Sequence, residues 1–125
     1  MSLSDYAENA FANTLRGGGN GVSYTAPAAV YAKLHTGDPG EAGTSNAAGE
    51  TTRKEVQFGA ASGGVISLSN TPSWTNVSTG ETYSYISLWD NVSAGNCLGA
   101  GALSSSVTVV AGDTFTLTAL TITLT

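Results

Sequence analysis

The sequence predicts a mainly β protein: a single β-sandwich or jelly-roll-like domain over residues 22–125, preceded by an N-terminal helix and Gly-rich hinge over residues 1–21. Apolar residues recur at helical spacing only near the N-terminus, and from Ala28 onward they recur with a period of two. The short periodic runs are separated by Gly, Asn, Asp and Pro turn chemistry, as in sandwiches and jelly rolls. At 125 residues the chain suffices for one domain with its own core and is too short for two.

Residues 2–16 read as the helix, with Leu3, Ala7, Ala10, Phe11 and Thr14 on one face and Leu15 beside them. Ser2 and Asp5 read as a capping pair, Asp5 and Glu8 suit the positive end of the helix dipole, and Arg16-Gly17 supplies the stop. Gly17-Gly18-Gly19-Asn20-Gly21 has no preferred conformation and reads as a hinge that lets the helix dock away from its own domain. Residues 28–36 alternate Ala28, Val30, Ala32 and Leu34 with Ala29, Tyr31, Lys33 and His35, the pattern of a first core strand. After a long loop, 37–50, come a short strand over 54–58, another over 65–70 and a third around Trp74.

Thr79-Gly80 reads as a hairpin turn into a strand over 81–89, which places Ser84, Ile86 and Leu88 on one side and Tyr83, Tyr85, Ser87 and Trp89 on the other. Both sides are apolar or aromatic, so this strand is central or meets a partner. Residues 91–95 turn into a strand over 97–103, whose Gly99 and Gly101 would let another backbone approach closely. A further strand at 107–110 and a turn at 111–113 lead to the last segment. There Phe115, Leu117 and Ala119 are out of phase with Leu120, Ile122 and Leu124, so a bulge or sheet-switching bend is expected near Ala119-Leu120.

Only 10% of residues are charged, against roughly 25% in a usual soluble domain, and Ser, Thr, Gly and Ala take their place. A neutral, hydroxyl-rich surface costs little to desolvate and suits extensive contact with other protein. The net charge is −5 and the only cations are Arg16, Lys33, Arg53 and Lys54, so no basic stripe is present to neutralise phosphates and nucleic acid is not an expected partner. The N-terminal residues lack the basic start and apolar run of a signal peptide, and no stretch approaches the roughly 20 apolar residues of a membrane span. A cytoplasmic protein is expected, with no membrane partner. The single cysteine, Cys97, allows no intrachain disulfide.

Catalytic groups are sparse. His35 is the only histidine and reads as a structural residue that hydrogen-bonds the neighbouring loop. Cys97 reads as a small buried side chain, with no histidine nearby in sequence to lower its pKa. Asp38, Glu41 and Glu50 share a Gly-rich loop, but Asp38-Pro39-Gly40 is turn chemistry and the spacing matches no calcium loop. The run 17–21 follows a helix and lacks the Lys-Ser or Lys-Thr ending of a phosphate loop. No catalytic residue, metal ligand or cofactor is assigned. Trp74 and Trp89 read as core or interface anchors. Leu3, Tyr6, Phe11, Leu15, Arg16, Tyr24 and Tyr31, on or near the arm, are the expected partner interface.

Leu34-His35-Thr36-Gly37-Asp38-Pro39-Gly40, Phe58-Gly59-Ala60-Ala61-Ser62-Gly63-Gly64, Ser87-Leu88-Trp89-Asp90, Gly99-Ala100-Gly101-Ala102-Leu103 and Val110-Ala111-Gly112-Asp113-Thr114, in that order, resemble small virion proteins of tailed bacteriophages. Proteins of this type include tail fibre, minor tail and capsid decoration (cement) proteins, and the resemblance carries no catalytic residue. It implies a non-enzymatic virion component. Small size, a neutral surface and a hinged arm fit a cement protein on the outer capsid surface, bridging major capsid subunits as a dimer or trimer with copies of itself. A tail fibre or minor tail protein involved in host attachment is the alternative. A small glycan-degrading module would require Asp38, Glu41, Glu50, Asp90 and Asp113 to converge in one pocket.

Overall fold

The computed structural model describes residues 1–17 and 24–124. In chain order its elements are β1 (Ser2–Leu3), α1 (Asp5–Leu15), β2 (Val30–His35), β3 (Lys54–Val56), β4 (Val65–Ser67), β5 (Ser73–Trp74), β6 (Glu81–Trp89), β7 (Cys97–Val109), β8 (Phe115–Thr116) and β9 (Thr121–Thr123). The protein is mainly β, with one short helix near its N-terminus. A five-stranded antiparallel sheet runs β1-β7-β6-β2-β3, and two antiparallel pairs, β4 with β9 and β5 with β8, complete the strand pairing.

The helix starts later than its apolar spacing predicts. Ser4, in extended conformation, is the N-cap and its Oγ accepts from the Ala7 amide at 3.2 Å, so Ser2 is not the capping residue. Ser2 and Leu3 instead form β1, opposite Ala100 and Gly99. The glycines make this possible: a Cβ on Gly99 would lie 2.6 Å from the Ser2 carbonyl oxygen, and one on Gly101 would lie 3.1 Å from Met1 Cα. At the other end Arg16 is the C-cap and Gly17 takes φ +91°, the left-handed stop that Arg16-Gly17 predicts. Beyond Gly17, the expected hinge at 18–21 lies outside the described residues.

β6 is central, as its two apolar sides require, with β2 and β7 as neighbours. Its register with β7 breaks at two places, near Ser84 and again between Leu88 and Trp89: Tyr83 faces Val107 but Tyr85 faces Ala102, so residues 103–106 of β7 bulge against Ser84. The bulge reverses the phase of β6, and Tyr83, expected beside Tyr85, is buried in the same core as Ile86 and Leu88. It also joins the two runs expected as separate strands at 97–103 and 107–110 into one 13-residue strand. The turn at Thr79-Gly80 makes no hairpin, because β5 pairs with β8 rather than with β6.

Ala32 and Leu34 from β2, Val56 from β3 and Tyr83, Ile86 and Leu88 from β6 pack with Trp74, Val77, Phe115 and Leu117 into one apolar core. Phe115 joins the layers, with its ring 5.7 Å from Trp74 and 5.4 Å, edge-on, from Tyr83. Past β8 the chain leaves the β5 ladder and reaches β4 as β9. This is the sheet-switching bend expected from the phase slip at Ala119-Leu120.

Candidate functional site

The N-terminal arm is docked on its own domain. Ser4 is buried and satisfied on every side: its amide donates to the Leu98 carbonyl at 3.0 Å, and its hydroxyl donates to the Cys97 carbonyl while capping α1. The Asp5 amide donates to Glu41 Oε2 at 3.0 Å, which ties the helix start to the long loop after β2. Within α1 only Ala7 is buried. The helix therefore lies at the margin of the domain, with most of its apolar side facing outward.

The expected interface residues fall into separate places. Leu3, Phe11 and Tyr24 come together with Val30, Ile122 and Leu124 around an apolar groove of about 310 Å³ between α1 and the β4–β9 ladder. Phe11 meets Tyr24 edge-on at 5.2 Å. Burial first, then nearby Tyr6 and Asp90, push the Tyr24 phenol above its ordinary pKa. Tyr6, 42% exposed, borders a different shallow cleft with Glu41, Trp89 and Cys97. Leu15 and Arg16 stand at the far end of the helix, where Leu15 is 88% exposed and Arg16 reaches Asn13 Oδ1 at 3.0 Å. Tyr31 is half-buried in the main sheet between Trp89 and Glu55 and does not reach the groove. Ile122 and Leu124 were missing from the expected set. Their even phase, opposite to that of Phe115 and Leu117, is the sequence signal that sets them on a different ladder.

On the side of β6 away from the core, the loop 37–50 folds down over a polar cluster. His35 is fully buried, with Nδ1 at 2.9 Å from the Ser45 carbonyl and Nε2 at 2.7 Å from Ser87 Oγ. A carbonyl can only accept, so Nδ1 carries the proton and Nε2 accepts from the Ser87 hydroxyl. Ser87 Oγ in turn accepts from Trp89 Nε1 at 2.8 Å. Burial, and secondarily Lys33, push the His35 pKa down, against the pull of the Ser45 and Asn46 carbonyls. The imidazole is thus a neutral, satisfied post that holds the loop, as its expected structural role requires. Arg53 lies 4.0 Å over the Trp89 ring and donates to the Asn91 and Ala94 carbonyls, bracing the β6–β7 turn. Cys97 is buried against Gly43, and burial pushes its thiol up, away from nucleophilic character.

The carboxylates act one by one as loop clips. Asp38 accepts from the Gly40 amide, Glu41 from Asp5, Asp90 from Asn96 and Asp113 from Val110. Glu81, not singled out by sequence, accepts from the amides of Gly49 and Glu50. Asp38 and Glu41 both border an open trough of about 530 Å³ beside β1, but Glu50, Asp90 and Asp113 do not reach it. Among the described residues no group of three or more His, Cys, Asp or Glu side chains is placed to hold a metal ion. No helix among them is long and apolar enough to cross a membrane.

Comparison with known proteins gives one family. A family model described as "Podophage GP4 fiber I protein gp80" matches residues 2–125. No curated protein matches the chain.

Proposed function

The chain belongs to the podophage GP4 fiber I protein gp80 family and is a structural protein of a tailed-phage virion, and from that premise we propose that it is a component of the tail fibre. The observation that carries the reading is the match itself, which extends over nearly the whole chain and names a fibre protein. It supports the fibre alternative better than the capsid cement role on the outer head surface that size and charge suggested. The cement expectation rested on an arm free to lie on a neighbouring subunit. The arm instead fills a socket on its own domain, so a bridging role has no geometric support from it.

The fold suits a fibre element that bears contact rather than performs chemistry. Its carboxylates are engaged one by one in separate loops and its histidine is buried and neutral, so in this proposal the protein is not an enzyme and needs no cofactor. Its partners are copies of itself and neighbouring virion proteins. The apolar groove beside α1 and the exposed Leu15 are the contact points toward the latter.

Gold-labelled antibody against the protein, applied to intact particles and viewed by electron microscopy, tests the assignment. Label on the fibres is expected, and label confined to the head shell would overturn it in favour of decoration. A tail reading also predicts that the fibre is lost, while filled heads still form, when the gene carries an early stop codon.

A further inference from the structure

The main sheet has two edges, and they are built differently. At β3 the Asn70 side chain lies alongside like a strand: its Oδ1 accepts from the Gln57 amide at 2.9 Å and its Nδ2 donates to the Glu55 carbonyl at 3.1 Å. Lys54 and Glu55 add charge there, which is how sheets commonly block pairing with another chain. At β7 the outer edge is covered by β1 only opposite Gly99 and Ala100, and among the described residues no strand lies beside 101–109 on that side. No charged residue and no proline occurs from Cys97 to Val110. The bulge at 103–106 bends this edge without charging it.

We propose that the outer edge of β7 pairs with the same edge of a second copy of this chain, antiparallel about a two-fold axis, extending the sheet from one copy into the next. The pairing continues the antiparallel ladder that β1 begins on the same edge. Charge selects the occupant. A chain of net charge −5 repels its own copies, and a charge-free strip is where two identical surfaces meet without placing like charges opposite each other. Beside the strip, a cleft of about 150 Å³ bordered by Leu103, Val107, Phe115 and Leu117 offers an apolar seat for a side chain of the added strand. Val107, 36% exposed on the rim of that cleft, is the large apolar side chain this edge presents to an added strand. The inference goes beyond the fibre reading and holds wherever in the particle the copies sit.

Sedimentation equilibrium of the full chain, with amide exchange followed at several protein concentrations, tests it. The wild type should form a dimer, with amides of residues 107–109 exchanging more slowly as concentration rises. Replacing two of the three exposed serines, Ser104→Lys with Ser106→Lys, places like charges along the pairing edge and should weaken dimerisation at least about 100-fold while the circular dichroism spectrum of the folded chain stays unchanged. Phe11→Asp with Leu15→Asp, both on the exposed side of α1, should leave the dimer intact. A wild type that stays monomeric, a lysine pair that dimerises normally, or a dimer abolished by the helix pair alone would each overturn the proposal. If the lysine pair fails to fold, concentration-independent exchange at 107–109 in the wild type overturns it equally.

Discussion

Replacing Gly99 by alanine asks whether the arm is held by its socket or merely lies on it. The added Cβ would sit 2.6 Å from the Ser2 carbonyl oxygen, where about 3.3 Å is the nearest ordinary carbon–oxygen approach, so β1 must retreat by about 0.7 Å or leave. The obstruction is backbone and cannot turn aside like a side chain. Leaving forfeits the Ser4 amide bond to Leu98 and the Ser4 hydroxyl bond to Cys97, at about 1 kcal/mol each, and part of the burial of Met1 and Leu3, at about 1 kcal/mol more. Staying costs about 1–3 kcal/mol of overpacking. The chain takes the cheaper course, so the cost is at most about 3 kcal/mol. Hydrogen exchange at the Ser4 and Ala7 amides reads this directly, and protection of both should fall about 5- to 150-fold, at about 1.4 kcal/mol per tenfold. Gly101→Ala is the graded control: its Cβ would meet Met1 Cα at 3.1 Å, a milder approach than that at Gly99, and should cost less than about 1 kcal/mol. Equal protection in wild type and Gly99→Ala, with the fold intact by circular dichroism, would refute the socket.

The polar side of β6 supplies further expectations. Ser87→Ala strips a partner from both Trp89 Nε1 and His35 Nε2, and a loss of about 2–4 kcal/mol is expected from the shift of the urea midpoint. His35 has a folded pKa below its unfolded value of about 6.5, so the unfolded chain binds the proton first as pH falls. Its share of stability is complete above about pH 6.5 and is lost as pH falls through the folded pKa. Urea midpoints from pH 7.5 to 5 should decline in the wild type and flatten over that range in His35→Gln, since the chain has no other histidine. Tyr83 is fully buried and its hydroxyl has no hydrogen-bond partner among the described residues, and burial, then Glu81 and Glu50, push the phenol up to about 12. Tyr83→Phe removes that unmet group while keeping the edge-on contact with Phe115, so the melting temperature should stay level or rise.

What the sequence conveyed best were features decided within a few residues. Alternation located β2 and the whole of β6, and the phase slip at Ala119-Leu120 announced the passage from the β8 ladder to β9. Gly99 and Gly101 signalled a close backbone without saying which one. Errors arose where a distant partner decided. Ser2 has a good capping pattern with Asp5, but pairing with Ala100 draws Ser2 and Leu3 into the sheet and leaves the cap to Ser4. A strict period of two put Tyr83 with Tyr85, and only the bulge on the neighbouring strand turns it into the core. The interface set gathered residues by nearness in sequence, so it joined Tyr31, in the middle of a sheet, to Phe11, on the rim of a groove. The long loop offered turn chemistry at Asp38 and a hydrogen-bonding histidine beside it, but no hint that Glu81, from the next strand over, would hold its far end down.

The arm and its socket also impose an order on biosynthesis. Ser2 and Leu3 leave the ribosome before the Gly99 and Ala100 they pair with, and at synthesis rates of about 5–20 residues per second the delay is about 5–20 s. Throughout that interval Leu3 and Phe11 have no groove to border and no strand to lean on. The segment made early is therefore among the last to be placed, and each new chain passes through a stage in which its arm is available to any completed socket nearby. On a polysome making many copies side by side, the pace of translation thus becomes a control on whether an arm closes on its own domain or on a sibling's.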